Sequence, residues 1–259
     1  MIRRNRTPEV MAISEHELTV MTKDVEHLHE DVGMPAMLSA VEEWKEKSRT
    51  SRRGFLIGAG AVAGGAVLAA CGSSSSPSTT TTKAATSGKA GTLTGDLAVA
   101  ALAASLENLA VAAYGDVLTA ATAGKLGTVP PAVATFATTV KAQHAQHAQA
   151  WNSAIVAAGH PAVTGPDTVL VPVVDKAFAK VTNVTGAAQL ALMLEGTAAA
   201  TYQSAVSAVK ATSAIQVAAS IQPVEMQHAA ILNFVLGQYP VPLAFSTTTA
   251  ARPLTDYTG

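Results

Sequence analysis

Between residues 92 and 240, apolar residues recur at helical spacing in Ala-rich segments, without strand-like alternation. Glycine and proline separate the segments and predict four long helices, over residues 96–123, 130–158, 185–210 and 213–236. Thr185 can cap the third helix, and Pro223 should kink the fourth or mark a later start. The second and third helices are linked by a long crossover, with a short helix expected near residues 175–181. The pattern predicts an all-α four-helix bundle.

An internal repeat supports this division of the chain. The first and third helices each carry a Leu-Glu pair with a tyrosine seven residues after the glutamate. The second and fourth each carry a polar residue, a histidine three positions later and an asparagine five positions after that. The matching pairs are Glu107 and Glu195, Tyr114 and Tyr202, His144 and Glu225, His147 and His228, and Asn152 and Asn233.

The repeat also contains the candidate chemistry. After residue 71 the chain has three glutamates, and all three lie at repeat positions. A buried carboxylate is costly unless it is paired or bound to a metal. Residues three apart share one helix face, so each polar residue and the following histidine present two ligands together. The candidate metal ligands are Glu107, His144, His147, Glu195, Glu225 and His228.

This pattern resembles the ferritin-like di-iron carboxylate family, in which two helices each give one glutamate and two give Glu-x-x-His. The resemblance covers about 150 residues. Glu107 and Glu195 match the single glutamates, and Glu225-x-x-His228 matches one paired motif in full. The resemblance implies a ferritin-like four-helix bundle over residues 92–240 that binds a transition metal, iron first, at its centre.

The sequence departs from the family at His144, which stands where the second helix should supply a glutamate. That carboxylate bridges the metals in the family, whereas a neutral imidazole offers one lone pair and bridges only when fully deprotonated. Three carboxylates also balance fewer positive charges than four. The ligand set would therefore suit one ion of Fe, Mn, Zn or Cu, or an asymmetric pair.

Structural interpretations stay open for the same side chains. In one interpretation, Glu225 and His228 form a hydrogen-bonded polar pair in the bundle. In the other, His144 and His147 belong to a partly exposed polar strip with Gln143, Gln146 and Gln149. The two repeat tyrosines are interpreted as core residues or as groups that orient the ligands. Trp151 is interpreted as packing, and His160 as a loop residue facing solvent.

The chain before the bundle is typical of an exported lipoprotein. Ser51-Arg52-Arg53-Gly54-Phe55-Leu56 resembles the twin-arginine motif, and the apolar stretch after it is too short and glycine-rich for a stable membrane span. Leu68-Ala69-Ala70-Cys71 resembles a lipobox, whose cysteine is lipidated after cleavage. We predict that residues 51–71 are the signal core and that the Ser/Thr-rich residues 72–91 are a flexible tether. An uncleaved signal anchor is the alternative.

Residues 1–50 contain ten of the eighteen acidic residues and are predicted to be a charged cytoplasmic n-region, with an uncertain start site. Its histidines, His16, His27 and His29, precede the signal, would be removed with it, and are not counted as ligands. Residues 241–259 are predicted to be a C-terminal tail.

Charge and motifs exclude several functions. From Gly72 onward, seven Lys and one Arg balance three Glu and five Asp, so the basic footprint of a nucleic-acid binder is missing. Nothing resembles a hydrolase triad, a P-loop or a dinucleotide fingerprint. The expected partners are the membrane, through a lipid anchor on the extracytoplasmic face of the cell envelope, and the twin-arginine export machinery; a homodimer is left open.

Two functions fit these features. The first is a metal-binding ferritin-like protein that oxidises Fe(II) or handles peroxide. The second is a non-catalytic envelope or desiccation-type stress protein with a vestigial or mononuclear site. A metal site requires the carboxylates and rings to converge within about 6 Å of one point.

Overall fold

The computed structural model describes residues 13–60 and 93–255, and within these ranges its secondary structure is entirely helical. The helices are α1 (Glu15–Leu28), α2 (Met34–Gly60), α3 (Asp96–Thr122), α4 (Pro131–Ala157), α5 (Val171–Phe178), α6 (Val184–Ala208) and α7 (Thr212–Val235). A π-helical turn, His29–Gly33, joins α1 to α2. Arg52 and Arg53 lie in α2, whereas Cys71 and the predicted tether at 72–91 lie outside the described residues.

The four long helices α3, α4, α6 and α7 form the predicted bundle. Helix α3 packs along α4, α6 packs along α7, and α3 also contacts α6, whereas α4 and α7 contact each other sparingly. The connection between α4 and α6 is the long crossover, and it contains α5. The bundle therefore consists of two helix pairs, and the seam between α4 and α7 is its most open one.

Glycines end three of the long helices where the sequence predicts. Gly124, Gly159 and Gly237 follow α3, α4 and α7 with φ of 70°, 82° and 73°, a left-handed conformation that glycine adopts without the steric cost of a Cβ. The N-cap of α6 is different from the prediction. Asn183 takes that role, since its Oδ1 accepts a hydrogen bond from the Gly186 amide at 2.8 Å, and Thr185 already lies inside the helix.

Two further local predictions are corrected. Helix α7 runs through Pro223, so the predicted later start of this helix is wrong. The short crossover helix begins at Val171 rather than near residue 175. Asp167 explains the earlier start, because its side chain accepts hydrogen bonds from the amides of Val169 and Leu170, at 3.0 and 2.8 Å, and Pro172 fits the first turn of a helix.

The core is built from small and aliphatic side chains around a few aromatic ones. Trp151 and Ile155 of α4 pack with Ile221 of α7 in one buried cluster. Helix α3 is long and apolar enough to cross a membrane, but 72% of its most apolar window is buried in the bundle. Burial in the core accounts for that composition.

The C-terminal tail is attached to the bundle. Arg252 is 7% exposed and Asp167 of the crossover 5%, and their side chains form an ion pair at 3.2 Å. The Arg252 amide also donates to Thr201 Oγ1 of α6 at 2.9 Å. Crossover and tail are therefore fixed together.

The N-terminal helices also pack on the bundle. Helix α1 lies on α4, and α2 lies on both α4 and α7. Leu18 and Val25 join the buried cluster around Phe136, and Trp44 packs edge-on against Trp151 with ring centroids 6.0 Å apart. Residues 13–47, which the sequence analysis treats as a separate n-region, are thus part of the folded structure.

Candidate metal centre

All six predicted ligands meet in the middle of the bundle, and each of the four long helices contributes. Helices α3 and α6 each supply one glutamate, α4 supplies two histidines, and α7 supplies a glutamate and a histidine. None is more than 1% exposed. The heptad-like spacing of the repeat turns these polar residues inward, within otherwise apolar helices.

Their ligand atoms form two overlapping groups, in each of which all atoms lie within 4.8 Å of one another. The groups are Glu107, His144, His147 and Glu225, and His144, Glu195, Glu225 and His228. Each group by itself has a spacing that could hold a metal ion. His144 and Glu225, which occupy matching positions of the repeat, belong to both groups.

The tyrosines of the repeat hold the single glutamates in a crossed arrangement. Tyr114 of α3 donates its hydroxyl hydrogen to Glu195 Oε1 of α6 at 2.5 Å. Tyr202 of α6 donates to Glu107 Oε1 of α3 and accepts a hydrogen bond from the Trp151 indole at 2.9 Å. Each helix pair therefore orients the glutamate of the other, and Trp151 has a polar role besides packing.

His144 spans the two groups. Its Nδ1 lies 2.7 Å from Glu107 Oε2, and its Nε2 lies 3.2 Å from Glu195 Oε1. When both nitrogens carry hydrogen, the imidazolium satisfies both carboxylates at once. His144 therefore takes a central position between the single glutamates.

The remaining donors are less completely satisfied. His228 Nε2 is paired with Gln143 Oε1 at 2.7 Å, and its Nδ1 lies 3.2 Å from Glu195 Oε2. His147 Nδ1 lies 3.0 Å from Glu225 Oε1, without hydrogen-bond geometry. Both ring nitrogens of His147 and both oxygens of Glu225 are buried without a hydrogen-bond partner. Orphaned, convergent nitrogen and oxygen donors of this kind fit a transition-metal ion.

The neighbouring histidines keep Glu107 and Glu195 ionised. Burial alone would raise the pKa of Glu107, but His147 and His144 outweigh it and lower that pKa to about 2. Glu195 is also buried, and its neighbouring histidines hold its pKa well below the usual range. Conversely, burial would lower the pKa of His147, yet Glu107 and Glu225 raise it to about 9. Without metal, the cluster is a set of ionised pairs.

The polar residues around the ligands take different positions. Gln143 is buried against His228, Gln146 is partly buried and bonds His29, and Gln149 is exposed. The repeat asparagines hold the loops after their helices. Asn152 donates to the Val163 carbonyl at 2.9 Å, and Asn233 donates to the Pro240 carbonyl at 3.2 Å. His160 lies in a loop and is half-buried.

His29, which is not among the predicted ligands, also lies beside the centre. This side chain is 4% exposed, and its ring centroid lies 5.3 Å from that of His147. Its Nε2 pairs with Gln146 Oε1 at 2.6 Å. Helical spacing from Leu18 through Thr22 and Val25 to His29 is the signal that places it on a buried face. His16 and His27 of the same segment are exposed.

The chain contains a four-helix domain with Glu and His clustered at its centre, an arrangement compatible with metal binding. Comparison with family models matches residues 95–238 to the ferritin-like domain. The chain belongs to the ferritin-like domain family. Comparisons with curated proteins and with solved structures found no match.

Proposed function

We propose that this chain is an exported, lipid-anchored ferritin-like protein that binds iron in the bundle centre and oxidises Fe(II) or disposes of peroxide. The observation that carries the proposal is the pair of overlapping ligand groups, in which His144 and Glu225 are shared. A buried site with three carboxylates and three imidazoles supplies the oxygen and nitrogen donors that suit iron.

The redox chemistry of this proposal belongs to the iron. Bound at the six candidate ligands, two Fe(II) would be oxidised to Fe(III), and their two electrons with two protons would reduce one hydrogen peroxide to two waters. The protein binds and orients. Tyr114 and Tyr202 fix the single glutamates, and burial together with Glu195 or Glu107 raises the tyrosine pKa values well above the ordinary range. The tyrosines thus remain hydrogen-bond donors at neutral pH.

Metal analysis tests the binding step. The purified full chain, loaded with Fe(II) under anaerobic conditions and desalted, should retain iron. Glu225→Ala removes an oxygen donor from both groups and should weaken iron binding by about tenfold or more. The matched control is Asp116→Ala, which removes an exposed carboxylate from α3.

Oxidation is then followed by the ferric absorbance after addition of oxygen or peroxide. We expect the wild type and Asp116→Ala to exceed the rate of free Fe(II), and Glu225→Ala to fall to that rate. Equal iron content in wild type and Glu225→Ala would contradict the ligand assignment. Iron retained without faster oxidation would contradict the oxidase step alone.

A second candidate function is favoured by His144. Because it satisfies Glu107 and Glu195 without a metal, the centre is also compatible with a non-catalytic envelope protein of the stress or desiccation type. Such a protein would hold one structural ion or none. The iron content per chain in the same experiment separates the two candidates.

The proposed export and anchoring are supported by the sequence. Ser51-Arg52-Arg53 precedes an apolar stretch that ends in the chain's single cysteine, Cys71. Two or three acyl chains on that cysteine would hold the domain at the membrane, since each buried methylene contributes about 0.8 kcal/mol.

Paired arginine substitutions test export. Arg52→Lys with Arg53→Lys should retain the chain in the cytoplasm, because the motif requires the arginine pair. The control is Arg3→Lys with Arg4→Lys, which changes the other Arg-Arg pair of the N-terminal region. Cell fractionation measures the result, and incorporation of a labelled fatty acid should disappear in Cys71→Ala. Normal export of the Arg52 and Arg53 variant would contradict the signal assignment.

A further inference from the structure

We propose that the N-terminal segment, residues 13–47, closes the metal centre along the seam between α4 and α7 and thereby controls the entry and release of metal. The inference rests on the proposed function for the metal itself. The closure is a property of the packing and is separately testable.

The seam is where the centre lies closest to the segment. Helices α4 and α7 supply four of the six candidate ligands, and they contact each other sparingly. The space between them is covered by α2, which packs on both helices, and by α1, which packs mainly on α4. Removing the segment would therefore expose the α4–α7 side of the bundle.

His29 is the residue of the segment that reaches the centre. It lies at the π-helical turn, a local widening of the helix that often marks functional positions. Its ring meets that of His147 at 5.3 Å in an edge-on contact. His29 Nδ1 and both nitrogens of His147 are buried without hydrogen-bond partners. His29 thus covers a candidate ligand whose ring nitrogens lack hydrogen-bond partners, although His147 Nδ1 lies 3.0 Å from Glu225 Oε1.

Apolar contacts on both sides of His29 hold the segment in place. On one side Leu18, fully buried, belongs to the cluster with Val140 and Ile231. On the other side Val41 and Trp44 belong to the cluster with Trp151. The segment is therefore anchored to the bundle before and after the turn.

Closure has a direct consequence for processing. The whole segment precedes Cys71, so cleavage at the proposed lipobox would separate it from the bundle. The centre would then be closed in the precursor and open in the cleaved protein. A metal ion loaded before cleavage would be retained until that step.

The test compares zinc release from full-length chains. Leu18→Asp with Val41→Asp puts two carboxylates into buried apolar contacts and should detach the segment. Val20→Asp with Leu38→Asp is the matched control, because it adds the same charges to the same two helices at positions 43% and 51% exposed. Each chain is loaded with Zn(II), and transfer to a coloured chelator is timed.

A milder pair of variants tests the turn itself. His29→Ala removes the ring beside His147, and His27→Ala removes a ring whose side chain is 75% exposed in the same segment. We expect zinc release to be about tenfold faster in the chain with Leu18→Asp and Val41→Asp, which we call the detached variant, and severalfold faster in His29→Ala. In both chains the release of zinc no longer requires the segment to open. Both controls should match the wild type.

Hydrogen exchange of residues 13–47 and 140–150 is the metal-independent readout. We expect faster exchange of both ranges in the detached variant alone. The closure is overturned if the detached variant releases zinc at the rate of its control, if His29→Ala matches His27→Ala, or if residues 140–150 keep the protection of the control while residues 13–47 lose theirs. If the wild type binds no zinc, exchange of residues 140–150 alone decides the closure, and the proposed iron binding is judged by the iron-retention test.

Discussion

Three buried carboxylates need compensating charge, and the side chain at position 144 decides how the centre obtains it. With histidine there, the metal-free molecule satisfies Glu107 and Glu195 through one ring. Burial opposes protonation of His144, but Glu225 and Glu195 outweigh it and raise its pKa well above the ordinary range. The protonated ring stabilises the empty centre, and a metal must displace its protons.

Replacing His144 by glutamate, the residue that the family has there, should destabilise the metal-free protein and strengthen the binding of a second metal ion. His144→Glu places four carboxylates in the centre, so the metal-free protein should lose about 3 kcal/mol or more, the usual cost of leaving a buried charge unpaired. A second divalent ion should bind about tenfold more tightly, because the added charge compensates it. Calorimetric titration with Mn(II) and melting in chelator measure the two effects, with His160→Glu as control. Unchanged affinity for the second ion would contradict this role of His144.

At the level of residues, the sequence predicts the members of the centre better than their contacts. The repeat selects Glu107, Glu195 and their partners because two copies of one pattern point the same residue types inward. It does not predict that Tyr114 bonds Glu195 rather than Glu107 on its own helix, since that depends on how the two pairs pack. His29 is not among the predicted ligands because its segment precedes the predicted export signal and is expected to be removed with it.

Among the elements, α7 combines an internal proline with two ligands. Pro223 has no amide hydrogen, so the Ala219 carbonyl four residues earlier loses its usual helical partner. The helix nevertheless continues to Val235, because its apolar face is buried against α6 and α2. Tertiary packing here outweighs local propensity.

Substituting the proline should therefore stabilise the fold. Pro223→Ala restores one backbone hydrogen bond and should increase the free energy of unfolding by about 1–3 kcal/mol. Pro172→Ala is the control, since that proline lies in the first turn of α5, where no amide partner is lost. Urea denaturation measures both. A destabilised Pro223→Ala would mean that the α7 backbone requires the proline geometry.

The long helices were predictable because each combines helical periodicity with a glycine stop. Observed ends differ from predicted ones by about two residues or fewer, the usual uncertainty of helix boundaries. The crossover helix begins earlier than predicted because the Asp167 side chain holds the turn before it, and such a turn cannot be recognised before the loop conformation is known. The N-cap of α6 is Asn183 rather than the predicted Thr185, and this too depends on the conformation of the preceding loop.

For the whole molecule, the ionised centre links stability to pH. The contribution of Glu107 is complete above its ordinary pKa of 4.5 and is lost as the pH falls toward about 2. The contribution of His147 is complete below its ordinary value of 6.5 and is lost as the pH rises through about 9. The metal-free protein should therefore be most stable between about pH 4.5 and 6.5.

Urea denaturation from pH 3 to 10 in the presence of chelator checks this profile. We expect His147→Gln to lower stability at pH 6 and to weaken the alkaline decline, because its side chain does not titrate. His160→Gln, in a loop, should follow the wild type. Constant stability of the wild type from pH 6.5 to 9 would contradict the ionised pairing at His147.

The arrangement of the whole chain was the least predictable level. Composition separated residues 1–50 from the bundle because their charge density differs, yet α1 and α2 present one apolar face that packs on α4 and α7. The C-terminal tail is also attached to the folded domain, because Arg252 donates a hydrogen bond to the buried Asp167, 85 residues earlier in the chain. The helical spacing of α1 indicates that one of its faces is buried, but it does not indicate which helices that face packs against.

The crossed tyrosines bear on how such a domain arises. Each helix hairpin lends its tyrosine to the glutamate of the other, so neither hairpin alone could hold its glutamate in place. Two identical hairpins associating about a twofold axis would exchange tyrosines in the same way. The centre is thus organised like the interface of a symmetric dimer whose two halves are joined by the crossover into one chain. His144 and Glu225, which occupy matching positions, are where the ligand sets of the two halves differ.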